Sequence, residues 1–458
     1  MGSFDSLSTA LSALYAQRRG MDVASQNIAN ANTDGYTRQR VDLQSVGAPA
    51  VPAIWSTYDG AGGGVQVTGI ERLRDAFLDA RAQSGHAQLQ DLTAGQDVIG
   101  QIEQLFPEPS DQGLQAHLSD LWAGFHDVAN QPASLSARSQ PLQRATIVTD
   151  WLNQTAAQLT SQSQSEQTTL STLVQEVNTT SAQVADLNQA ILQGTQAGLP
   201  VNELSDQRDQ ATMKLAELVG GTTLTDDQGN VGVYVGGSPL VIGNRAETLQ
   251  MTTTGGTVAL QWARDGSTVA VTSGKANALV NAVNTVIPGW MSQLDSFAAN
   301  LAGQVNAQHT AGYDLNGNAG TPLFAGTTAA TITVAITDPA QVAASSVAPT
   351  GGVASLDSGN ADALGGIGAL TTSPDAQYQQ LIVNLGIASQ DAQQRTSTQT
   401  AIVNNVDSAR ESQSGVSIDE EMTNVLSFQR AYEAASRVLT AVDSTLDTLV
   451  NHTGLVGR

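Results

Sequence analysis

Apolar residues recur at heptad spacing at both ends of the chain, and no other feature restricts the fold as much. Near the N-terminus Leu7, Leu14, Met21 and Ile28 stand seven residues apart, with Phe4 and Leu11 on the same side. This spacing predicts an amphipathic helix with a narrow apolar stripe over residues 4–32. Near the C-terminus Val425, Tyr432, Leu439 and Leu446 form one series, and Phe428, Ala435, Val442 and Leu449 a second, offset by three. Together they make an a/d seam of about four heptads. A two-position seam suits a paired helix better than one lying on a globular core, which presents a wider face. Two such seams predict pairing with each other, which brings the two termini to one end of the molecule.

Between these ends the pattern changes several times. The 458 residues allow about three domains. Residues 36–70 are rich in β-branched residues, Gly and Pro and read as strands and loops. Residues 71–106 return to helical spacing and are halted by Pro107 and Pro109. A long Gln- and Thr-rich stretch, 132–193, has sparse apolar positions, including Leu152, Leu159, Leu170 and Val184, and predicts a slim helical rod. A helix over 202–219 ends at Gly220-Gly221. Residues 222–275 alternate like strands around the turn Asp226-Asp227-Gln228-Gly229-Asn230. Helix follows at 277–308, with Pro288-Gly289 as a kink, then a strand at 331–336 and helix again over 376–450, interrupted near Ser414-Gly415.

The predicted fold is therefore α+β and mainly helical, with three nested units. Residues 1–35 and 415–458 form a coiled-coil-like terminal unit. Residues 36–220 and 277–414 form an elongated helical domain with small β elements at 36–70. Residues 222–275 form a small inserted β domain.

Chemistry is sparse. Nineteen Lys and Arg against 42 Asp and Glu leave a net charge of −23, with no basic stripe, which argues against nucleic-acid binding. The absence of cysteine excludes disulfides, thiolate catalysis and Cys-ligated zinc. Five scattered histidines give no metal-binding spacing. The glycines at 60–64 are followed by neither Lys-Ser/Thr nor a helix start, so they read as a turn and not as a phosphate loop. No G-x-S-x-G elbow occurs. The pair Asp226-Asp227 lies in a turn, and Glu420-Glu421 opens a helix where carboxylates favour the dipole, with Ser417 and Glu420 as a capping box. No catalytic, cofactor-binding or metal residue is expected. No apolar run is long enough to enter a membrane, and the first residues lack the basic and apolar regions of a cleaved signal peptide.

Four segments carry a resemblance. Ser25-Gln26-Asn27-Ile28-Ala29-Asn30-Ala31-Asn32-Thr33-Asp34-Gly35-Tyr36-Thr37-Arg38-Gln39 joins the first helix to the extended segment. Asn30 and Asn32 are expected to close the helix in left-handed backbone, Asp34-Gly35 to turn the chain, and Tyr36 to start the strand. This segment resembles the N-terminal motif of flagellar rod, hook and hook-associated proteins. Gly69-Ile70-Glu71-Arg72-Leu73-Arg74-Asp75 resembles the same proteins' strand-to-helix step. Residues 415–422 and 428–438 resemble their C-terminal helix. Leu204-Ser205-Asp206-Gln207-Arg208-Asp209 resembles the first hook-associated proteins and not the hook or rod proteins. The tail 451–458 runs past the usual end of such chains.

The resemblance implies a structural subunit of the hook–filament junction and no enzyme, with the three units corresponding to that family's D0, D1 and D2. It implies a secreted, extracellular flagellar protein, exported through the flagellar type III channel without a cleaved signal peptide. The implied partners are further copies in a ring-like helical segment, hook protein below, a second junction protein or filament above, and an export chaperone on the C-terminal helix. The expected assembly residues are Leu7, Leu14, Met21, Ile28, Asn30, Asn32, Thr33, Gly35, Tyr36, Arg38 and Gln39, with Val425, Phe428, Tyr432, Leu439, Val442, Leu446 and Leu449. The alternatives are a hook, distal-rod or filament-side junction protein. An appended hydrolase would have to occupy 222–275, which carries no nucleophile–base pair.

Overall fold

The computed structural model describes residues 3–47, 63–350 and 353–452. The glycines at 60–62 and the tail 453–458 lie outside these residues. The fold is mainly helical α+β, as the periodicities require. Helix α1 (Ser3–Ala29) pairs along its length with α10 (Ile418–Asp447). An antiparallel hairpin follows, β1 (Gln39–Ser45) with β2 (Val65–Arg72), Gln39 opposite Arg72. Asp75 then caps α2 (Ala76–Glu103), its carboxylate accepting from the amides of Phe77 and Leu78 at 2.8 and 3.1 Å. The backbone of α9 (Pro374–Ser414) runs antiparallel along α2, Ser389 meeting Glu103 and Arg410 meeting Asp79.

The long helix α4 (Leu135–Gln196) has 62 residues and so extends about 90 Å. Its first half lies in one apolar core with α3 (Leu114–Asn130), α7 (Ile287–Thr310) and the start of α9. Phe106, Trp151, Tyr378 and Phe297 meet there in a chain of edge-on and tilted rings. Its second half lies in another core with α5 (Asn202–Val219), α6 (Lys275–Asn281) and the strands. Glycine 220 ends α5 with a φ of +68°, the conformation that favours glycine.

The strands β3 (Thr222–Thr225), β4 (Val231–Val235), β5 (Ser238–Ile242) and β6 (Arg245–Ala246) form one antiparallel meander, and β7 (Leu249–Thr254) with β8 (Thr257–Trp262) a separate hairpin. The alternation of Val231, Val233 and Val235 buries one face. That face joins one apolar core with α4, α5, α6 and the β7–β8 hairpin. Small sheets of this size cannot cover their own apolar face.

Three other expectations shift. The strand foreseen at 331–336 is only β10 (Thr333–Val334), paired with β9 (Phe324–Ala325). The helix foreseen at 277–308 starts at Lys275 and is broken by a π-turn, Ala282–Val286, before α7 takes Pro288 in its first turn. Proline has no N–H, and the first turn is where none is needed. The helix α3 has no counterpart in the sequence reading.

Candidate assembly site

The α1–α10 pair is packed tightly at Gly20. The apolar side chains of α1 that are buried are small: Ala10, Ala16, Val23 and Ala24, with Gly20 among them. Leu7, Leu14, Met21 and Ile28 are half-buried, flanking these small residues. The Phe428 ring packs directly over the backbone of Gly20. A Cβ added at Gly20 would lie 2.7 Å from Cε1 of Phe428. On α10 the seam does face inward, with Val425, Phe428, Ala435, Leu439, Val442 and Leu446 half-buried. Tyr432 and Leu449 fall outside it, 37% and 58% exposed. The outer face of α10 exposes Ile418, Met422 and Leu426, one turn apart. The substitution Gly20→Val is expected to weaken the pair by about 2 kcal/mol, an overpacking cost, read as faster hydrogen exchange in α1. Gly20→Ala is expected to cost less, because alanine returns up to about 1 kcal/mol of helix propensity.

The turn after α1 is built around Asn27, which is 1% exposed. Its Nδ2 donates to the carbonyl of Gln39 at 2.8 Å and to Oε2 of Glu421 at 3.1 Å. Its Oδ1 accepts from the Gln39 amide at 3.0 Å and from the Tyr36 hydroxyl at 2.9 Å. Both donors and both lone pairs are therefore used. Burial, and then the carboxylates of Asp206, Glu203 and Glu421, push the Tyr36 hydroxyl up to about 12, so it remains a donor.

Arg38 fastens this turn to α10. Its Nε and Nη2 reach Oε1 of Glu421 at 2.8 and 2.6 Å, and its Nη1 reaches Glu420 at 2.7 Å. The Glu421 side chain is 3% exposed. Burial works against the charge of Arg38, but the bonds and charges of Glu420 and Glu421 outweigh it and raise its pKa. Glu420 is thereby drawn away from the capping box. Only its amide bonds to Ser417, at 3.4 Å, so half of that box forms. The backbone of Arg38 donates to Ser414 and accepts from Leu73.

The expected left-handed asparagines are not found. Among the described residues every positive φ belongs to glycine, and Gly35, at +74°, takes that role here. Asn30 instead donates to the carbonyl of Gln26 at 3.1 Å and accepts from the Thr33 hydroxyl at 3.2 Å, while Asn32 is exposed. An asparagine can satisfy the helix end with its side chain and leave the backbone turn to glycine.

Helix α5 clamps the same turn from the other side. Asp206 accepts from the Thr37 amide at 3.3 Å and from Arg72 at 2.7 Å. Asp209 holds Arg72 and Arg74, both at 2.8 Å, and Arg74 also reaches Asp79 at 2.7 Å, which Arg410 meets at 3.0 Å. Asn202 donates to Oε1 of Gln39 at 3.1 Å and to the Ile70 carbonyl at 3.0 Å. Gln210 donates to the carbonyl of Asp34, and Gln26 to Glu203. Burial opposes the charge of Arg72 too, and Asp209 and Asp206 outweigh it and raise its pKa. Arg208, pointing away, ties α5 to Asn188 of α4 and to the Gly229 carbonyl.

The four segments singled out in the sequence thus meet at one place. Sequence reasoning missed Asn27, Arg72, Asp206, Asp209 and Glu421 as members, although all five lie inside the quoted motifs. Arg38, Arg72, Arg74 and Arg410 each face carboxylates, an arrangement that positions helices and offers no free nucleophile or base. Among the described residues no group of His, Asp and Glu could hold a metal ion, and no helix is long and apolar enough to cross a membrane.

Comparison with known proteins follows this geometry. A family model described as the helical domain of the flagellar hook-associated protein FlgK matches residues 99–324. Models for flagella basal body rod proteins and for the C-terminal region of the basal body rod FlgEFG proteins match 7–37 and 407–451, the two sides of the terminal pair. Flagellar hook-associated protein 1 of Bacillus subtilis is 31% identical over 100% of this chain and 99% of its own length. Flagellar hook-associated protein 1 of Escherichia coli is 27% identical over 70% of this chain and 59% of its own length. The flagellar hook junction protein FlgK from Burkholderia pseudomallei shares the fold, with a TM-score of 0.65 at 17% identity over 74% of this chain and 100% of that one. Identity along the whole length of the Bacillus protein, matched at both ends and in the middle, makes this chain a member of the flagellar hook-associated protein 1 family, a family of structural proteins and not of enzymes.

Proposed function

We propose that the chain is a structural subunit of the hook–filament junction that assembles through its paired terminal helices. The observation that carries this reading is the division of labour on α10. Its inner seam is spent on α1, while Ile418, Met422 and Leu426 remain exposed in a row one turn apart. An apolar stripe of this kind on a slim helix needs a partner. Further copies of the chain, arranged in a short ring-like segment, supply it after assembly; an export chaperone covers it before. The chain leaves the cell through the flagellar type III channel. Hook protein lies on one side and a second junction protein or filament on the other. In this reading residues 1–35 with 415–458 act as the terminal unit, and the seam residues with the 30–39 turn are its assembly surface.

Deletion of the gene tests the reading: hooks without filaments and flagellin released into the medium are expected, and normal filaments would refute it. Complementation sharpens the test. A copy carrying Met422→Glu and Leu426→Glu is expected to yield a folded, soluble protein that restores no filaments, whereas the unaltered gene restores them. Filaments restored by the double variant would remove the outer face of α10 from the assembly.

A further inference from the structure

The rod contains two apolar cores, and between them the helices α4 and α9 cross a level that is almost free of apolar packing. On α4, Leu159 belongs to the first core and Leu170 to the second. The ten residues between them are Ser, Thr, Gln or Glu without exception, and only Glu166 among them is buried. On α9, Leu385 is in the first core, and the next buried side chain is Gln399. At the third crossing, the π-turn Ala282–Val286, the two cores touch through a single pair of neighbours, Ala282 of the first and Val283 of the second.

These crossings lie along one stretch of α2, from Asp91 to Glu103, about 18 Å long. Gln162 of α4 donates to the Val98 carbonyl and to Gln101 of α2, at 3.3 and 3.2 Å. Ser389 of α9 donates to Glu103 of α2 at 2.7 Å. Asn277 of α6 reaches both oxygens of Asp91 on α2, at 3.1 and 3.0 Å. A groove of about 280 Å³ opens along the same stretch between α2, the π-turn and α9, lined by Gly95, Ile99, Ala282, Ala388 and Ala392 among others. Burial raises the carboxyl pKa of both Asp91 and Glu166, as expected of acids placed where an apolar core is interrupted.

A close-packed core moves as one body, because shifting its side chains opens voids. Polar contacts between helices exchange with water at little net cost. A helix that is polar all round has no packing to keep it straight, and a π-turn marks a break in the regular ladder. We propose that this level is a flexing joint, about which the two apolar-cored halves of the rod bend against each other. Helices curve readily to a radius of 60–100 Å, so about 15 Å of helix at the joint turns by about 10°. The far end of the first half of α4 then moves by about 6 Å.

The chain has no cysteine, so pairs of introduced cysteines can carry spin labels without background. Gln140 and Ala299 are exposed on the first half, Thr179 and Thr253 on the second. Pulsed dipolar distance measurements on the full chain compare Gln140/Thr253 and Ala299/Thr253, which span the joint, with Gln140/Ala299 and Thr179/Thr253, which do not. The spanning pairs are expected to show distributions about twofold wider than the others. Equal widths would overturn the proposal. Adding Gln162→Leu with Glu166→Leu, which extends the apolar packing through the joint, is expected to narrow the spanning pairs alone. Breadth that survives this change would place the motion elsewhere and would also overturn it.

Discussion

Replacing Arg38 by alanine is expected to release the terminal pair from the rod while leaving both apolar cores intact. The guanidinium is the only cation hydrogen-bonded to Glu421 among the described residues, and the Glu421 side chain is 3% exposed. Removing it strands a buried carboxylate, and breaking a buried pair from one side costs about 3–5 kcal/mol. The loss falls mainly on α1, α10 and the turn, because the bonds of Arg38 run to these and to Ser414 and Leu73. Glu421→Gln is expected to cost less. Its amide leaves no buried charge, and Arg38 keeps Glu420 as a partner. Hydrogen exchange resolved by segment checks the pattern: large loss of protection in α1 and α10 in the first variant, a smaller loss in the second, and none in α3 or α7. Equal effects of the two substitutions would mean that the charge pair does not hold the turn.

Acid is expected to loosen the opposite end of the molecule first. His309 is fully buried, its Nδ1 bonded to the carbonyl of Thr321 at 2.6 Å and its Nε2 to the amide of Ala343 at 2.9 Å. Nδ1 donates to that carbonyl, so Nε2 must accept, and this fixes the neutral ring. Burial pushes its pKa down from 6.5 to about 4, against the opposing pull of Thr321 and Asp314. The unfolded chain takes up a proton near 6.5 and the folded chain only near 4. Stability is therefore complete above the first value, falls as pH drops through the window and levels off below the second. The gap corresponds to about 3 kcal/mol. Carboxylates titrate below about pH 5 as well, so the comparison is with His309→Gln, which cannot titrate. The stability advantage of the native protein over this variant should shrink by that amount between pH 7 and pH 4. Parallel pH profiles would show that His309 does not set the acid limit.

How much of this was legible in the sequence depended on the range of the interaction. The terminal helices, their partnership and the break at Gly415 followed from periodicity and a glycine, which are local signals. The small residues that α1 buries did not follow, because heptad counting weighs large apolar residues, whereas close packing favoured Ala10, Ala16 and Gly20. Helix α3 was legible and was passed over: Leu114, Leu118, Leu121, Phe125 and Val128 repeat at helical spacing and are all buried. The strands at 222–262 were visible as strands, but nothing local announced that α4 and α5 would join their core. The polar knot was the least accessible. Asn27 and Glu421 lie 394 residues apart, and Arg72 and Asp206 lie 134 apart. Neither residue of such a pair has a pattern around it that names its partner.

The separation of Asn27 and Glu421 has a consequence for the order of events. A chain that emerges from the ribosome N-terminus first presents the Ala10–Gly20 face and the asparagine long before the arginine can find its carboxylate. Every intermediate length lacks α10, and none can close the knot. The terminal unit is in effect a receipt for a finished chain: a copy broken off between α9 and residue 421 keeps the residues of both rod cores, yet it carries no completed pair to offer a neighbour.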